Sequence, residues 1–153
     1  MDNIAVAKKF ITATVNVLST MAGIKPVAGK PFVKTNMIGM GDVSALVGIT
    51  GAKCGSIAVT FPKATAIGMV RGMLGDDIQD IINDTKDTVG EICNMISGQA
   101  RAQLAEAGVA LQGSTPTIIF GDNHSISHIS TAAVIAIPFT SEAGDFIVEF
   151  CFE

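Results

Sequence analysis

The 153-residue sequence lacks tryptophan and tyrosine, so its core has to be built from aliphatic side chains and its eight phenylalanines. Positive charge is also scarce, because ten Lys and Arg stand against fourteen Asp and Glu, for a formal net charge of -4. Proteins that bind nucleic acid need clustered basic residues to neutralise phosphates. We therefore expect neither DNA nor RNA as a partner.

Long apolar runs are missing as well. No segment has about 18 consecutive apolar residues, and the N-terminus lacks the basic and apolar regions of a secretory signal. These features predict a cytoplasmic protein with no membrane partner. The length fits one domain over residues 1–153.

Cysteine is rare, and its spacing fits neither a disulfide framework nor a metal knuckle. Cys54, Cys93 and Cys151 stand singly and far apart. We interpret all three as small buried residues in a reducing compartment.

Three segments have the 3.6-residue apolar period of amphipathic helices. The first runs from Asp2 to Met21 and stops at Gly23, the second from Lys63 to Leu74, and the longest from Ile78 to Ala107. Short β-rich runs separated by turn residues predict strands; the clearest are Val43 to Thr50, Ser56 to Phe61, Thr117 to Phe120, Ala132 to Pro138 and Phe146 to Phe152. The order predicts an α+β fold with long helices packed on a mostly antiparallel, six-stranded sheet.

The first and the longest helix share a short internal echo. Asn16-Val-Leu-Ser in one is similar to Asn94-Met-Ile-Ser in the other, and strands follow each. So short a similarity arises easily by chance, so it is only a hint of a duplicated plan.

Polar residues of the longest helix gather on the side opposite its apolar face; they are Asp87, Glu91, Asn94, Gly98 and Arg101. Glu91 and Asn94, three residues apart, are surface neighbours. Gly98 costs about 1 kcal/mol of helix stability relative to alanine, so helix propensity does not explain it. Either this face is the ordinary solvated side of an amphipathic helix, or it docks a partner that approaches closely at Gly98.

The run Asp87-Thr-Val-Gly-Glu91-Ile-Cys-Asn94 resembles the Asp/Ser-x-x-x-Glu-x-x-Asn signature of the CheC/CheX/FliY chemotaxis phosphatases. The runs Gly-Ser-Ile-Ala-Val-Thr-Phe and Ser-Thr-Pro-Thr-Ile-Ile-Phe-Gly are also similar to that family, so the resemblance spans nearly the whole chain. Pro116 comes one residue earlier than the family pattern, which indicates a shortened loop. The first helix has Ala13-x-x-Asn16 without the carboxylate, which is similar to the single-site CheX arrangement.

The resemblance implies a CheC-like fold and a phosphatase that acts on a phosphorylated CheY-type response regulator. In that reading Asn94 orients the hydrolytic water, and Glu91 pairs with a lysine of the regulator. Asp87 and Gly98 would contact the partner. No cofactor is expected in this chain, because the Mg²⁺ would belong to the regulator. The alternative is a non-catalytic module, similar to the flagellar switch protein FliM, that binds a receiver or a switch partner.

The resemblance also implies a homodimer joined through its sheets. A Val-, Ile- and Phe-rich edge strand such as Phe146 to Phe152 would need such protection.

Two other patterns are weaker. His124 and His128 lie in a segment that predicts loop or strand, so we expect hydrogen-bonding histidines there and not a zinc pair. The spaced glycines complete no phosphate-binding motif.

Overall fold

A computed structural model describes residues 2–34, 41–76, 81–124 and 132–152. Three helices occur in these ranges: α1 (Asn3–Ala22), α2 (Lys63–Leu74) and α3 (Ile81–Glu106). The Asp2 carboxylate caps α1 by accepting from the backbone N–H of Ala5 at 2.8 Å, and Gly23 ends the helix in the left-handed conformation at φ 65°. The predicted helices are confirmed, although residues 78–80 of the longest lie outside the described ranges.

The described residues contain eight strands: β1 (Val27–Ala28), β2 (Phe32–Val33), β3 (Gly41–Gly51), β4 (Gly55–Phe61), β5 (Leu111–Gly113), β6 (Thr117–His124), β7 (Ile135–Thr140) and β8 (Phe146–Phe152). The five longer strands correspond to the strands named from the sequence, although β7 begins at Ile135 and not at Ala132. The sheet exceeds the predicted six strands because β1, β2 and β5 are only two or three residues long. Segments so short carry no readable period.

All strand pairs of the sheet are antiparallel. Its order is β1-β7-β8-β4-β3-β5, with β2 also paired to β7 and β6 also paired to β3. One edge is therefore formed by β1 and β2, and the other by β5 and β6. The α+β class with a mainly antiparallel sheet is confirmed.

The prediction that Phe146 to Phe152 forms an exposed edge strand is wrong. This segment is β8, which pairs with β7 on one side and β4 on the other. Phe146, Val148 and Phe150 face the helices, while Glu149 and Cys151 on the opposite face are buried too. Apolar content on a strand indicates burial, and a central strand is the more buried kind.

The main core lies between the helices and one face of the sheet. There Phe10 of α1 stacks on Phe150 of β8 with ring centroids 5.0 Å apart, and Phe139 stacks on Phe146 at the same distance. Such pairs add about 0.5–1.5 kcal/mol beyond the burial of their area. These stacks let phenylalanine fill the core of a chain without tryptophan or tyrosine.

The opposite face of the sheet carries an ion pair that is largely excluded from water. Nζ of Lys34 lies 3.0 Å from Oε1 of Glu149, and the two side chains are 13% and 4% exposed. Burial of a carboxylate is tolerated where it is paired in this way. The pair ties the chain after β2 to the central strand β8.

The cysteine interpretation is correct for two residues and wrong for one. Cys93 and Cys151 are buried, but Cys54 is exposed, because it lies in the turn between β3 and β4.

None of the helices within the described ranges has the length and apolar character needed to cross a membrane.

Candidate active site on the third helix

Helix α3 packs one side into the core and leaves the other in solvent. Its buried residues recur at helical spacing; they include Val89, Ile92, Cys93, Ile96 and Ala100. Glu91 and Asn94 lie on the opposite side and are both exposed. The structure therefore brings the two sequence-predicted site residues together on one surface, one helical turn apart.

The chain between β5 and β6 runs alongside this surface. Gly90 makes the close approach possible, because a Cβ atom there would lie 3.0 Å from Cδ1 of Ile118. The result is an open depression of about 310 Å³ between α3 and the start of β6. Its lining residues come from both elements: Lys86, Asp87, Gly90, Glu91, Asn94, Thr115, Pro116 and Ile118.

Pro116 therefore lies beside Asn94, even though the spacing between them is one residue shorter than the family pattern. Sequence reasoning placed Asp87, Glu91 and Asn94 at this site but missed Lys86, Thr115 and Ile118. Lys86 lies on the flank of α3 that faces β6, with its ammonium group 5.7 Å from the centroid of the Phe120 ring. The sequence signal that could have identified Lys86 is its spacing of four residues from Gly90, because residues four apart lie on the same face of a helix.

The side chains of Glu91 and Asn94 have no internal partner in the described part of the chain. Neither makes a hydrogen bond or an ion pair there. A carboxylate and an amide held in solvent on a rigid helix are available to a partner molecule. The arrangement can therefore orient a water molecule or bind a cationic side chain.

Gly98 lies one turn beyond Asn94 on the same side of α3 and outside the lining of the depression. A Cβ atom at this position would have only the terminal nitrogen of Arg101 nearby, at 4.0 Å. The predicted gap in the side-chain surface at Gly98 is thus present.

Comparison with known proteins identifies the family. A family model described as chemotaxis phosphatase CheX matches residues 43–140, which is 98 of the 153 residues and includes Glu91 and Asn94. This chain belongs to the chemotaxis phosphatase CheX family. The resemblance found in the sequence is confirmed.

Individual members of the CheX family agree with this assignment. The chain is 24% identical over 138 residues to the CheY-P phosphatase CheX of Thermotoga maritima, covering 90% of this chain and 89% of the relative. The crystal structure of CheX from Desulfovibrio desulfuricans is 64% identical, with a TM-score of 0.94, and 97% of this chain and 99% of that one are covered. The CheX–CheY–BeF₃–Mg²⁺ complex of Borrelia burgdorferi gives 25% identity, a TM-score of 0.81 and 97% coverage of both chains.

Helix α1 does not reproduce the CheX-type pair of α3. Asn16 is exposed, but Ala13, three residues earlier, is completely buried against the core. A carboxylate at position 13 would point into the core instead of solvent. The burial of α1 therefore agrees with a single site, while the duplicated plan stays a prediction.

Cys93 lies directly beneath the exposed pair but is not available as a nucleophile. Its thiol donates to the backbone carbonyl of Ala45 at 3.6 Å, and desolvation by burial raises its pKa to about 12. A protonated, buried thiol is unreactive. The chemistry of this surface is therefore that of the Glu91 carboxylate and the Asn94 amide.

His124 is held by hydrogen bonds, as expected. Its Nε2 lies 2.6 Å from Oγ of Ser44, which is itself 2.8 Å from Oγ1 of Thr60, and its Nδ1 lies 2.7 Å from the carbonyl oxygen of Gly121. Because that carbonyl can only accept, Nδ1 carries a proton and donates it to the Gly121 carbonyl. His128 lies outside the described residues.

Proposed function

We propose that this CheX-family protein hydrolyses the aspartyl phosphate of a phosphorylated CheY-type response regulator. The observation that carries the proposal is the exposed Glu91 and Asn94 pair, which stands beside an open depression without internal partners in the described ranges. Family membership and the 24% identity to a CheY-P phosphatase support the reaction class.

Asn94 orients the attacking water in this proposal. Hydrolysis of an acyl phosphate needs a water molecule in line with the leaving carboxylate oxygen, so positioning is the main task. A side-chain amide can accept from and donate to the same water without ionising. Asn94 is also fixed to the middle of a 26-residue helix, which gives it a rigid support.

Glu91 fixes the register of the complex by pairing with a lysine of the regulator. A carboxylate and an ammonium group form a charge-assisted hydrogen bond, and here the carboxylate is one helical turn from Asn94. Asp87, exposed one turn before Glu91, and Gly98, one turn beyond Asn94, complete the contact surface. Their role as partner contacts is part of the proposal.

The Mg²⁺ that neutralises the phosphoryl oxygens is proposed to belong to the regulator, and this chain is proposed to need no cofactor of its own. Metal ions in phosphoryl transfer bridge and neutralise the phosphoryl oxygens, which here are carried by the partner. The Borrelia burgdorferi complex of CheX with CheY, BeF₃ and Mg²⁺ supports such an assembly.

We further propose that the protein is a cytoplasmic homodimer. Because β8 is central, the pairing surface has to lie elsewhere, and the edge formed by β1 and β2 is the better candidate. Val27, Phe32 and Val33 on this edge are 65%, 47% and 55% exposed, and Ile4 of α1 nearby is 69% exposed. A second copy would cover this apolar edge.

The proposed activity is tested by the decay of a phosphorylated, Mg²⁺-loaded CheY-type receiver with and without this protein. Accelerated decay at substoichiometric protein establishes a phosphatase, because each molecule then acts more than once. Binding of the phosphorylated receiver without acceleration would instead establish the FliM-like, non-catalytic module.

A further inference from the structure

Arg101 is held by a hydrogen bond two helical turns beyond Asn94 of the proposed catalytic pair. Its Nε donates to Oγ of Ser97 at 3.1 Å, and Ser97 is completely buried. This bond uses the inner nitrogen of the guanidinium group. No other hydrogen bond or ion pair of Arg101 is found among the described residues.

Gly113 of β5 makes room for the Arg101 guanidinium group, and Gly98 of α3 lies beside that group. A Cβ atom on Gly113 of β5 would lie 3.0 Å from both Cζ and Nε of Arg101, and 3.1 Å from a terminal nitrogen. A Cβ atom on Gly98 of α3 would lie 4.0 Å from the same terminal nitrogen. We call this space the arginine slot, formed by Gly98 and Gly113 and anchored by Ser97.

The arginine slot restricts a side chain that is ordinarily flexible. A free arginine loses about 2 kcal/mol of rotamer entropy when it is fixed on binding. In the slot much of this ordering is already complete in the unbound protein. The two terminal nitrogens keep their N–H donors, which have the fork geometry that matches a carboxylate.

We infer that Arg101 is an anchor that binds a carboxylate side chain on the rim of the partner's phosphorylation site. This inference rests on the proposed function. Arg101 is seven residues from Asn94, about 10 Å along the helix axis, although its guanidinium reaches back to the level of Gly98. That separation places it beyond the reacting phosphoryl group and at the rim around it.

The terminal N–H donors of Arg101, which are free within the described ranges, favour a carboxylate as the occupant. The chain carries a net charge of -4, and Asp87 and Glu91 add negative charge to the same surface. An acidic partner surface would be repelled unless a cation compensated it at the contact. Arg101 supplies that cation in a pre-organised form, which makes it a specificity-determining contact rather than a catalytic one.

The test measures KM and kcat for the phosphorylated receiver with Arg101→Gln, Arg101→Lys and Gly113→Ala. Arg71→Gln is the matched control, since Arg71 is an exposed residue of α2 and the charge change is identical. For Arg101→Gln we expect KM to rise about tenfold with kcat nearly unchanged, as for loss of one charge-assisted hydrogen bond. Arg101→Lys recovers only part of this loss, because an ammonium group lacks the planar fork.

Gly113→Ala keeps the charge but crowds the guanidinium, whose atoms would lie 3.0–3.1 Å from the new methyl group, so KM should rise about threefold, less than for Arg101→Gln. Equal KM values for Arg101→Gln and Arg71→Gln would overturn the inference. A fall in kcat at unchanged KM would also overturn it, because Arg101 would then act on the phosphoryl group.

A wild-type protein that does not accelerate decay would refute the proposed function but still leave Arg101 testable. Affinity for the BeF₃-activated receiver is then the readout, with about tenfold weaker binding expected for Arg101→Gln. If the wild-type protein does not bind the BeF₃-activated receiver, both the proposed function and the inference about Arg101 are overturned.

Discussion

Neighbouring residues of α3 have opposite environments, and this contrast decides their chemistry. Cys93 lies between the two proposed catalytic residues in sequence, yet it is buried, and burial raises its pKa to about 12. Cys54 is exposed in a turn. The resemblance to the CheC/CheX/FliY signature predicted Glu91 and Asn94, whereas the exposure of Cys54 was missed because no period indicates which turn residues face solvent.

Thiol labelling of the native protein tests these environments. At pH 8 we expect one thiol per chain, that of Cys54, to react quickly with an aromatic disulfide reagent. Cys93 and Cys151 should react only as fast as the protein unfolds, because each is buried and donates to a backbone carbonyl. Cys54→Ser should abolish the fast phase, whereas two or more fast thiols per wild-type chain would contradict the described core.

At the scale of elements, the helices were predictable and the sheet was predictable only in part. Helix periods and caps are local, so α1, α2 and α3 follow from their own residues. Strand pairing joins distant segments, which is why β8 was taken for an edge strand and β5 was missed. The arginine slot was equally hidden, because Gly113 and Arg101 meet only when β5 packs beside α3.

Alanine substitutions at two glycines within helices distinguish the effect of internal packing from the effect of partner contact. We expect Gly98→Ala to raise the free energy of unfolding by about 1 kcal/mol, since the new methyl group would contact only the terminal nitrogen of Arg101, at 4.0 Å, and alanine favours helix. Gly72→Ala in α2 is the matched control, because its Cβ would lie 2.7 Å from the backbone oxygen of Ala22. That clash should lower the free energy by about 1–3 kcal/mol. Urea denaturation measures both changes.

The proposed partner contact at Gly98 predicts a second effect of Gly98→Ala. Gly98→Ala should raise KM for the phosphorylated receiver although the protein itself is more stable. An unchanged KM would show that Gly98 is not part of the contact surface, and the glycine at this position would then be unexplained.

For the whole molecule, the sheet has two edges with different surroundings. The β5–β6 edge borders α3 and the proposed active site, whereas the β1–β2 edge exposes apolar side chains. Pairing through the β1–β2 edge would leave the site of each copy open. The sequence indicated a dimer only through family resemblance, and it could not locate the edge because that depends on the order of strands.

Sedimentation velocity at micromolar concentration tests the proposed dimer. We expect the mass of two chains for the wild type and of one chain for Phe32→Lys, because a charge on this edge would be desolvated by a second copy. Leu74→Lys, at an exposed apolar residue of α2, should remain dimeric. A wild-type protein that sediments as a monomer throughout this range would refute the proposal.

The central claim is that hydrolysis depends on the Glu91 and Asn94 pair of α3. The most direct measurement is the decay rate of a phosphorylated, Mg²⁺-loaded CheY-type receiver with the wild type, Asn94→Ala, Glu91→Ala and, as a matched control, Asn16→Ala on α1. We predict that Asn94→Ala loses at least about 100-fold of the acceleration and that Glu91→Ala loses at least about tenfold. Asn16→Ala should keep the wild-type rate. Full acceleration by Asn94→Ala would contradict the account.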